Sequence, residues 1–598
     1  MRLLRTPLLA AAAAGLMLLT SCADDGGSGA LATGAEDSQQ SEQQAAEQRR
    51  AERQAEFEEA VAQQEAALAG PGPEHRDQAA ELVAQMDEHD LAGQVIVGEY
   101  SGTDAESAAA LIAELNLAGV ILMGHNIPGG TSAVDTEVLA AQIESISSAG
   151  GEELPAPPII SVDQEGGLVT RVGAPLTEWS TPMAHGAVQP AADGLRSAAQ
   201  AHRLMAADLA ELGFTVSFAP SADVTTGAED PTIGSRSFGA DPETVSALAL
   251  QGLRGLADGG VAGSVKHFPG HGSVTEDSHY SLPVQQASLE QLRQRDWRPF
   301  ADAVEAGAPM VMMGHVEVPA LEAGVPSSLS EAAYEQIRSM GHEGVIVTDA
   351  MNMAAIANSY GGDQAAVQAL SAGADLILMP ASARGAHQAI LTALQQGELD
   401  QQRLTEAAQR VLALRLWQQD LASGQLAAGP GVERPEILQD SDIYGPALQE
   451  AGPAADDTGQ SETGDLDPHQ AAAWTAERAV TLVQGECEAV LADEAIQIAG
   501  GTQTDRARLA DAAQRAGLQT GWGPTVTLLG GRTPGSGDVV VALDRPEALA
   551  DSTSGAAVAL FGRTPASFDA LVEVLTGAPA PGALPVPVGD LPAGHSQC

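Results

Sequence analysis

The feature that most limits how this chain can fold is a regular alternation of short, β-branched apolar runs with longer stretches rich in alanine and leucine. Eight such runs, each the length of a buried strand, are separated by segments of helical composition. They cover residues 94–97, 119–123, 158–162, 215–219, 263–267, 310–314, 344–348 and 375–379. Strands that alternate with helices pair in parallel, so the pattern predicts an α/β fold. A closed (β/α)8 TIM-type barrel and an open, doubly wound sheet both satisfy it.

The positions of polar residues favour the barrel. Five of them lie at or just beyond the carboxyl end of a predicted strand, namely Asp163, Asp223, Lys266, His315 and Asp349. In a closed barrel these strand ends converge on one mouth, where active sites lie. We therefore predict a catalytic barrel over residues 76–423, closed by a helix at about 402–419.

A second domain follows the barrel. Residues 424–468 are rich in glycine, proline and acidic residues and are predicted to form an acidic linker. Apolar runs then alternate again with helical segments and predict a smaller α/β sandwich over residues 469–598. The predicted strands are 479–483, 495–499, 526–529, 538–543 and 556–561. This domain contains Cys487 and Cys598, and an exported protein could join them in a disulfide, although their separation in space does not follow from the sequence.

The first 22 residues have the form of a secretory signal peptide. Arginines at positions 2 and 5 precede an apolar stretch at 8–19 that is too short to span a bilayer well. The following Leu-Thr-Ser-Cys resembles a bacterial lipobox, which favours lipidation of Cys22 over an ordinary signal with a chance cysteine. The lipid would hold the protein at the outer face of the cell membrane. Residues 23–75, rich in glutamine, glutamate and alanine, would form a flexible tether.

The chain is strongly acidic, because 28 lysine and arginine residues stand against 80 aspartate and glutamate residues, a net charge of −52. Such a surface repels nucleic acid and anionic membrane, which argues against both as ligands. Membrane contact is therefore expected through the lipid anchor only. The acidity fits a salty habitat and compositional drift in an arginine-rich genome equally well.

Lys266 is the only lysine in the chain, which suggests that its compact ammonium has a task that a planar guanidinium cannot perform. Asp163 opens the run DQEGG, and Arg171 follows shortly after it. Acids and an arginine beside glycines can hold several hydroxyls of a polar ring, and Arg236 is a further candidate clamp. Each of these signals is weak alone, since DQEGG could be a structural turn and Arg236 an exposed loop residue.

Lys266 begins the run KHFPGHG, and an Asp-Ser-His triplet follows at 277–279. The histidines of both segments, with the aspartate, could ligate a metal. However, the proline and glycine between His267 and His271 break any helix that would align the two rings. A carboxylate beside an imidazole holds one tautomer and raises the imidazole pKa, which suits Asp277 and His279 to general acid/base catalysis.

The seventh predicted strand ends in Asp349. A carboxylate at a barrel mouth can attack an anomeric carbon and form a covalent glycosyl-enzyme. Aspartate also commonly caps helices, so this residue alone leaves the question open.

Together and in this order, these motifs resemble glycoside hydrolase family 3, in its β-N-acetylglucosaminidase branch. The resemblance covers residues 80–420, and the second domain resembles the sandwich of two-domain members. It implies that Asp349 is the nucleophile, that His279 is the acid/base, and that Asp277 orients His279. It further implies sugar-binding roles for Asp163, Arg171, Arg236, Lys266 and His267. Leu168 departs from the family, which commonly has arginine at that position.

The resemblance implies a retaining exo-β-N-acetylglucosaminidase, that is, a β-N-acetylhexosaminidase, that needs no metal or organic cofactor. An extracytoplasmic location points to terminal GlcNAc on peptidoglycan fragments, with chito-oligosaccharides as the alternative substrate. Four other functions stay open: a family 3 β-glycosidase of different specificity, a GlcNAc phosphorylase, a metal-dependent hydrolase, and a noncatalytic lipoprotein that binds cell-wall sugar.

Overall fold

The predicted strands of the first domain form a ring of parallel strands in the computed structural model, which describes residues 70–149, 155–423 and 466–598. They are β1 (Ile96–Gly98), β2 (Gly119–Ile121), β3 (Ile159–Val162), β4 (Val216–Ser217), β5 (Ala262–Gly263), β6 (Val265–Phe268), β7 (Met310–Met313), β8 (Val345–Thr348) and β9 (Ile377–Leu378). β5 and β6 share the fifth position of the ring. The predicted signal peptide, Cys22, and nearly all of the tether and linker lie outside the described residues.

The ring closes into a barrel. The strands pair in the orders β5-β4-β3-β2-β1-β9 and β6-β7-β8. Parallel bridges between Ser221 and Lys266 and between Val347 and Leu376 join the two runs. The predicted TIM-type barrel is confirmed, and the open sheet is wrong.

Helices surround the barrel, and many of them begin at a residue whose side chain caps the first turn. They are α1 (Pro73–Val83), α2 (Glu88–Gly93), α3 (Ala105–Leu115), α4 (Thr136–Ser147), α5 (Pro182–Ala187), α6 (Ala191–Glu211), α7 (Pro242–Asp258), α8 (Leu289–Gln294), α9 (Arg298–Glu305), α10 (Glu331–Ser339), α11 (Ala354–Ala357), α12 (Gly362–Ala372), α13 (Ala383–Gln396) and α14 (Gln401–Ala422). For example, the Asp241 carboxylate accepts the amide N–H of Thr244 at 2.9 Å at the start of α7. No helix among the described residues has the length and hydropathy of a membrane span.

Side chains alternate between two cores along each strand. In β7, Met310 and Met312 face the interior of the barrel, whereas Val311 and Met313 pack in the shell beneath the helices. Leu414 and Trp417 of α14 join the interior core. The amino-terminal end of the barrel is thereby filled, which leaves the carboxyl ends of the strands to build the site.

The second domain is a five-stranded sheet with helices. Its elements are β10 (Thr481–Gln484), β11 (Ala495–Gly500), β12 (Gln519–Leu529), β13 (Val539–Ala542), β14 (Ala556–Ala559), α15 (Pro468–Ala479), α16 (Gln503–Arg515) and α17 (Pro565–Leu575). The strand order is β10-β14-β13-β12-β11, with β10 antiparallel to β14 and the other pairs parallel. The strand predicted at 526–529 begins earlier, at Gln519, because its ladder to β11 skips from Thr520 to Thr525 and so lacks a continuous apolar pattern.

The two domains share a buried apolar interface. Met183 and Ala187 of α5 pack with Val540 of β13 and with Phe561, which follows β14. Cys487 and Cys598 form a disulfide, with Cα atoms 5.3 Å apart, which answers the question that the sequence left open.

Candidate active site

A buried ion cluster occupies the carboxyl end of the barrel. Lys266 in β6 places its Nζ 3.0 Å from Asp163 Oδ1 and 2.7 Å from Glu165 Oε1. Asp163 directly follows β3, so the two strands bring the charges together across the mouth. Burial alone would lower the pKa of Lys266, but the carboxylates of Asp163 and Glu165 raise it above its ordinary value. The ammonium therefore stays charged.

Arg236 completes this cluster from the loop after β4. Its Nε and Nη2 donate to the two carboxylate oxygens of Glu165 at 2.9 and 2.8 Å, which is a bidentate pair. The Glu165 side chain has no solvent exposure. Burial would raise the pKa of Glu165, yet Arg236 and Lys266 outweigh burial and hold the pKa far below its usual range. Two cations and two carboxylates thus present a polar floor with fixed donors and acceptors.

Arg171 lies at the edge of the cluster, with its Nη2 3.9 Å from Asp163 Oδ2. The side-chain amide of Gln164 shapes this loop, because its Oε1 accepts the backbone N–H of Arg171 at 2.8 Å. Leu168, on the same loop, is half exposed and lines a cavity of about 200 Å³ between the loop and the second domain. Arg171 is therefore part of the mouth, and Leu168 is on its rim.

His267 is oriented by a buried carboxylate. Its Nδ1 lies 2.7 Å from Asp223 Oδ2, and Arg236 Nη2 lies 3.4 Å from its Nε2. Because a guanidinium only donates, Nε2 accepts and Nδ1 carries the proton. Asp223 also accepts the backbone N–H of His271 at 2.6 Å. The ring of His267 is thus held in one tautomer beside the cluster.

Asp349 directly follows β8, and its Oδ1 accepts the backbone N–H of Ala350 at 2.7 Å. Burial raises the pKa of Asp349, but the imidazoles of His315 and His267, the Ala350 N–H and the Lys266 ammonium together lower it below its ordinary value. The carboxylate is therefore ionised near neutral pH. An ionised carboxylate at the mouth is the state that a nucleophile requires.

Asp277 and His279 form a local pair on the loop after β6. His279 Nδ1 and the His279 backbone N–H lie 2.7 and 2.9 Å from Asp277 Oδ1. This contact assigns Nδ1 as the donor and leaves Nε2 to exchange a proton with a ligand. Hydrogen bonds from the backbone and side chain of His279 outweigh burial and lower the pKa of Asp277. The His279 side chain is 58% exposed, so it faces solvent at the rim.

His315 is a buried histidine whose pKa depends on Asp349. Burial lowers the pKa of His315, Asp349 opposes that effect, and His267 and His279 lower it further. His315 is completely buried, with its Nδ1 2.7 Å from Ser328 Oγ. Its Nε2 lies 3.0 Å from the carbonyl oxygen of Ala350, the residue that follows Asp349.

The geometry does not assemble the alternative metal site. His267 Nδ1 is engaged by Asp223, and His271 Nε2 lies 2.9 Å from Ser278 Oγ. Within the described ranges, one group of three candidate ligands has its ligand atoms within 4.8 Å of one another, and it lies ahead of β1 at the other end of the barrel. It consists of Asp87, His89 and Asp90.

The structure joins four of the predicted sugar-binding residues, Asp163, Arg236, Lys266 and His267, into one network through Glu165, with Arg171 beside it. Asp223 and His315 were predicted to lie at the mouth, and Glu165 lies in the DQEGG run, but the sequence assigned no individual role to any of the three. Their positions after strands were visible in the sequence, but their partners lie far away along the chain. Glu165, for instance, pairs with Arg236 across 71 positions.

Comparisons with known proteins identify the family of this chain. Residues 80–414 match the model of the glycosyl hydrolase family 3 N-terminal domain, and the chain belongs to that family. It is 30% identical over 329 residues to beta-hexosaminidase A of Pseudoalteromonas piscicida, a match that covers 51% of this chain and 54% of that protein. It is 33% identical over 318 residues to beta-hexosaminidase LpqI of Mycobacterium tuberculosis, a match that covers 52% of this chain and 78% of that protein.

A solved structure extends the likeness to both domains. A family 3 beta-N-acetylglucosaminidase from Paenibacillus sp. superposes with a TM-score of 0.70 and 27% identity, and the match covers 84% of this chain and 99% of that one. The predicted family is confirmed, and these relatives are named for the predicted enzyme class, β-hexosaminidase or beta-N-acetylglucosaminidase. The chain spans about half the length of the Pseudoalteromonas relative.

Proposed function

We propose that this protein is a retaining exo-β-N-acetylglucosaminidase. The observation that carries the proposal is the juxtaposition of an ionised carboxylate, Asp349, with the buried cluster of Lys266, Glu165 and Arg236 at the barrel mouth. Fixed charged donors and acceptors suit a ring with several hydroxyls, and the carboxylate suits attack on its anomeric carbon. The names of the β-hexosaminidase relatives support the same substrate class.

The reaction then proceeds in two displacements. An oxygen of Asp349 attacks the anomeric carbon while the bond to the leaving oxygen breaks, and His279 Nε2 gives its proton to that oxygen. Water next attacks the same carbon, the bond to Asp349 breaks, and His279 takes the proton of the water. Asp277 accepts the Nδ1–H of His279 throughout and stabilises the imidazolium. Each displacement inverts the anomeric centre, so the product retains its configuration.

We further propose that the enzyme acts outside the cytoplasm, anchored through a lipid on Cys22, and removes terminal GlcNAc from peptidoglycan fragments or chito-oligosaccharides. The signal-like segment and lipobox support this location, and an acidic protein that repels anionic lipid would need such an anchor to stay at the membrane. Incorporation of an alkyne-labelled fatty acid by cells that express the chain tests the anchor. Label on the natural sequence but not on Cys22→Ser is the expected result, and equal label on both would refute lipidation at Cys22.

Turnover by the signal-free protein tests the activity. We expect cleavage of an aryl N-acetyl-β-glucosaminide, little cleavage of the aryl β-glucoside, and no effect of a chelator. Asp349→Ala should reduce kcat by at least about 1,000-fold, because it removes the nucleophile. His279→Ala should reduce kcat by about 100-fold or more with an unactivated leaving group. His89→Ala is the matched control, since His89 is a half-exposed histidine on α2 at the other end of the barrel.

Other outcomes separate the alternatives. Preferred cleavage of the glucoside would assign a different family 3 specificity. Release of a sugar phosphate in the presence of phosphate would indicate a phosphorylase. A histidine base favours this outcome, because it is neutral when deprotonated and does not repel the phosphate anion. Chelator-sensitive turnover would support the metal-dependent hydrolase. Binding of GlcNAc without any turnover would leave the noncatalytic lipoprotein.

A further inference from the structure

The loop that carries Arg236 is held by one aspartate. Both carboxylate oxygens of Asp230 accept from the loop itself, at 2.7–2.9 Å, and the donors are Thr225 Oγ1 and the backbone N–H groups of Thr232, Ile233 and Gly234. Backbone N–H groups of the same segment donate to the carbonyl oxygens of Gly227, Ile233 and Gly234, but none within this described segment donates to the carbonyl oxygen of Asp230. Buried carbonyls that lack a partner in their own loop require donors from elsewhere.

The second domain supplies those donors. Arg545, which follows β13 and is only 8% exposed, donates through Nη2 to the carbonyl oxygens of Asp230 at 2.6 Å and Gly227 at 3.2 Å. Its Nη1 lies 3.5 Å from the carbonyl oxygen of Pro231. Arg532 adds a further bond, from Nη1 to the carbonyl oxygen of Ala228 at 2.8 Å. Two arginines of the sandwich therefore hydrogen-bond to the backbone of one barrel loop.

The fit around Arg545 is close. Gly234 has φ of +49°, and a Cβ added there would lie 2.6 Å from Arg545 Cζ, so only glycine leaves room for the guanidinium. Glu547 faces Arg545 with an oxygen 3.6 Å from its Nε. Both carboxylate oxygens of Glu547 are buried and make no hydrogen bond to the described residues, so Arg545 is the cation that offsets this charge.

We infer that Arg545 is a positioning residue of the sugar site, through which the second domain fixes the Gly227–Arg236 loop and thereby aims Arg236 at the ligand. Arg545 itself does not touch Glu165 or Lys266; it acts through the loop backbone, two residues before Arg236 at Gly234 and six before it at Asp230. The inference rests on the proposed function, because Arg236 is taken as a sugar-binding residue.

Kinetics of Arg545→Met test this role. Loss of the guanidinium removes the donor to the Asp230 carbonyl oxygen, whereas the Gly227 carbonyl oxygen keeps the backbone N–H of Asp230. A resulting shift of Arg236 by an ångström should lower kcat/KM by about 10- to 100-fold. The fall should appear with a raised KM and a raised inhibition constant for GlcNAc, because the ligand's contacts with the cluster weaken. Arg545→Lys keeps a charge but not the fork, so it should recover part of the loss.

A double substitution shows whether the effect passes through Arg236. Arg545→Met added to Arg236→Met should cost less than about twofold more, because the positioned group is already absent. Arg506→Met is the matched control: this arginine also donates to two backbone carbonyls, those of Gly500 and Gly501, but lies within the sandwich. It should keep the kinetics of the natural protein. Independent, fully additive losses from Arg545 and Arg236 would overturn the inference.

A second measurement keeps the outcome independent of turnover. Hydrogen exchange of the 227–236 segment should be faster in Arg545→Met than in the natural protein and unchanged in Arg506→Met. If the natural protein cleaves no N-acetyl-β-glucosaminide, the proposed function fails while the exchange result still judges the loop. Unchanged exchange in Arg545→Met would overturn the positioning role. Should Arg545→Met not fold, Glu547→Gln, which removes the charge that faces Arg545 and keeps the shape, gives a milder test with the same expected directions.

Discussion

Lys266 shows why a single lysine persists in a chain that otherwise uses arginine. Its side chain is 3% exposed, and its Nζ contacts carboxylates of two residues, Asp163 and Glu165, in a narrow space. A compact ammonium fits between two carboxylates that converge on one point, whereas the guanidinium of arginine is planar and longer. Arg236 already occupies the bidentate position on Glu165.

Replacement of Lys266 by arginine should therefore not preserve function. We expect Lys266→Arg to lower kcat/KM by about 100-fold, since an oversized group in a packed cluster displaces the residues around it. Steady-state assays with the aryl N-acetyl-β-glucosaminide measure the loss. Arg384→Lys, which alters an exposed ion pair with Glu114, should leave activity unchanged. Activity of Lys266→Arg within threefold of the natural protein would contradict a requirement for the compact charge.

At the scale of elements, the loop after β6 is held at its centre by a hydrogen bond between Ser278 and His271. Ser278 is 2% exposed and its Oγ lies 2.9 Å from His271 Nε2, whereas its neighbours Asp277 and His279 face solvent more. The buried serine thus fixes the backbone between the two members of the acid/base pair. Residues 278–280 form a turn, in which the backbone N–H groups of Tyr280 and Ser281 donate to the Asp277 carbonyl oxygen at 3.0 and 3.1 Å, and this turn buries Ser278 while it exposes His279.

Removal of the hydrogen bond between Ser278 and His271 should reduce kcat more than it changes KM. Ser278→Ala takes away the bond to His271, so His279 is less often aligned with the leaving oxygen, and we expect kcat to fall about tenfold. Ser281→Ala, which removes a 3.3 Å bond to Glu276 on the same loop, is the control and should have little effect. The comparison needs a substrate with a poor leaving group, because only such a substrate depends on the acid. Equal kinetics of the two variants would show that the Ser278–His271 hydrogen bond is not needed to align His279.

Asp375 is a buried aspartate that supports the closure of the barrel between β8 and β9. Between β8 and β9 there is one bridge, Val347 to Leu376, and Asp375 reinforces it by accepting the backbone N–H of Ile346 at 2.9 Å. Asp375 also pairs with three arginines, Arg338, Arg403 and Arg410. Burial would raise the pKa of Asp375, but these guanidinium groups outweigh burial and lower it.

Asp375→Asn should destabilise the barrel by about 3 kcal/mol at pH 7, because it leaves three partly buried guanidinium groups without their counter-charge. The effect depends on pH in a defined direction. A carboxyl whose folded pKa lies below the unfolded value of about 3.9 contributes stability above that pH and loses it as the pH falls through the folded pKa. Urea unfolding of both proteins from pH 7 to pH 3 should therefore show a difference that shrinks towards acid. A constant difference between the free energies of unfolding of the two proteins would mean that the charge of Asp375 does not stabilise the contact between β8 and β9.

At the scale of the whole molecule, the carboxyl terminus is tied into the sandwich. The Cys487–Cys598 disulfide joins residues 111 positions apart. The final segment also meets the barrel, where the Pro585 carbonyl oxygen accepts the backbone N–H of Ala240 at 3.1 Å. The covalent tie therefore anchors a segment that helps to join the two domains.

The signal-free protein lacks Cys22, so Cys487 and Cys598 are its only cysteines. Thiol titration of the denatured protein should find no free thiol before reduction and two after it. Cys598→Ser should lower the free energy of unfolding by roughly 5 kcal/mol, the loss expected for a closed loop of this length. The natural protein in reductant should show the same loss, and Cys598→Ser should show no further change in reductant. Two free thiols before reduction would contradict the bond.

The sequence by itself determined the alternation of strands and helices, favoured the closed barrel over the open sheet, and located the candidate residues that depend on local order. Asp277 and His279 are two positions apart, and Asp349 directly follows a strand, so strand periodicity and short-range spacing sufficed to locate them, whereas their roles were implied by the resemblance to glycoside hydrolase family 3. The tertiary structure alone decided the pairs between distant segments. Glu165 meets Arg236, Asp223 meets His267, and Arg545 of the sandwich reaches the loop before Arg236. These contacts depend on which strand ends become neighbours and how the domains pack, and a charge in the sequence carries no information about which distant charge will neutralise it once both are buried.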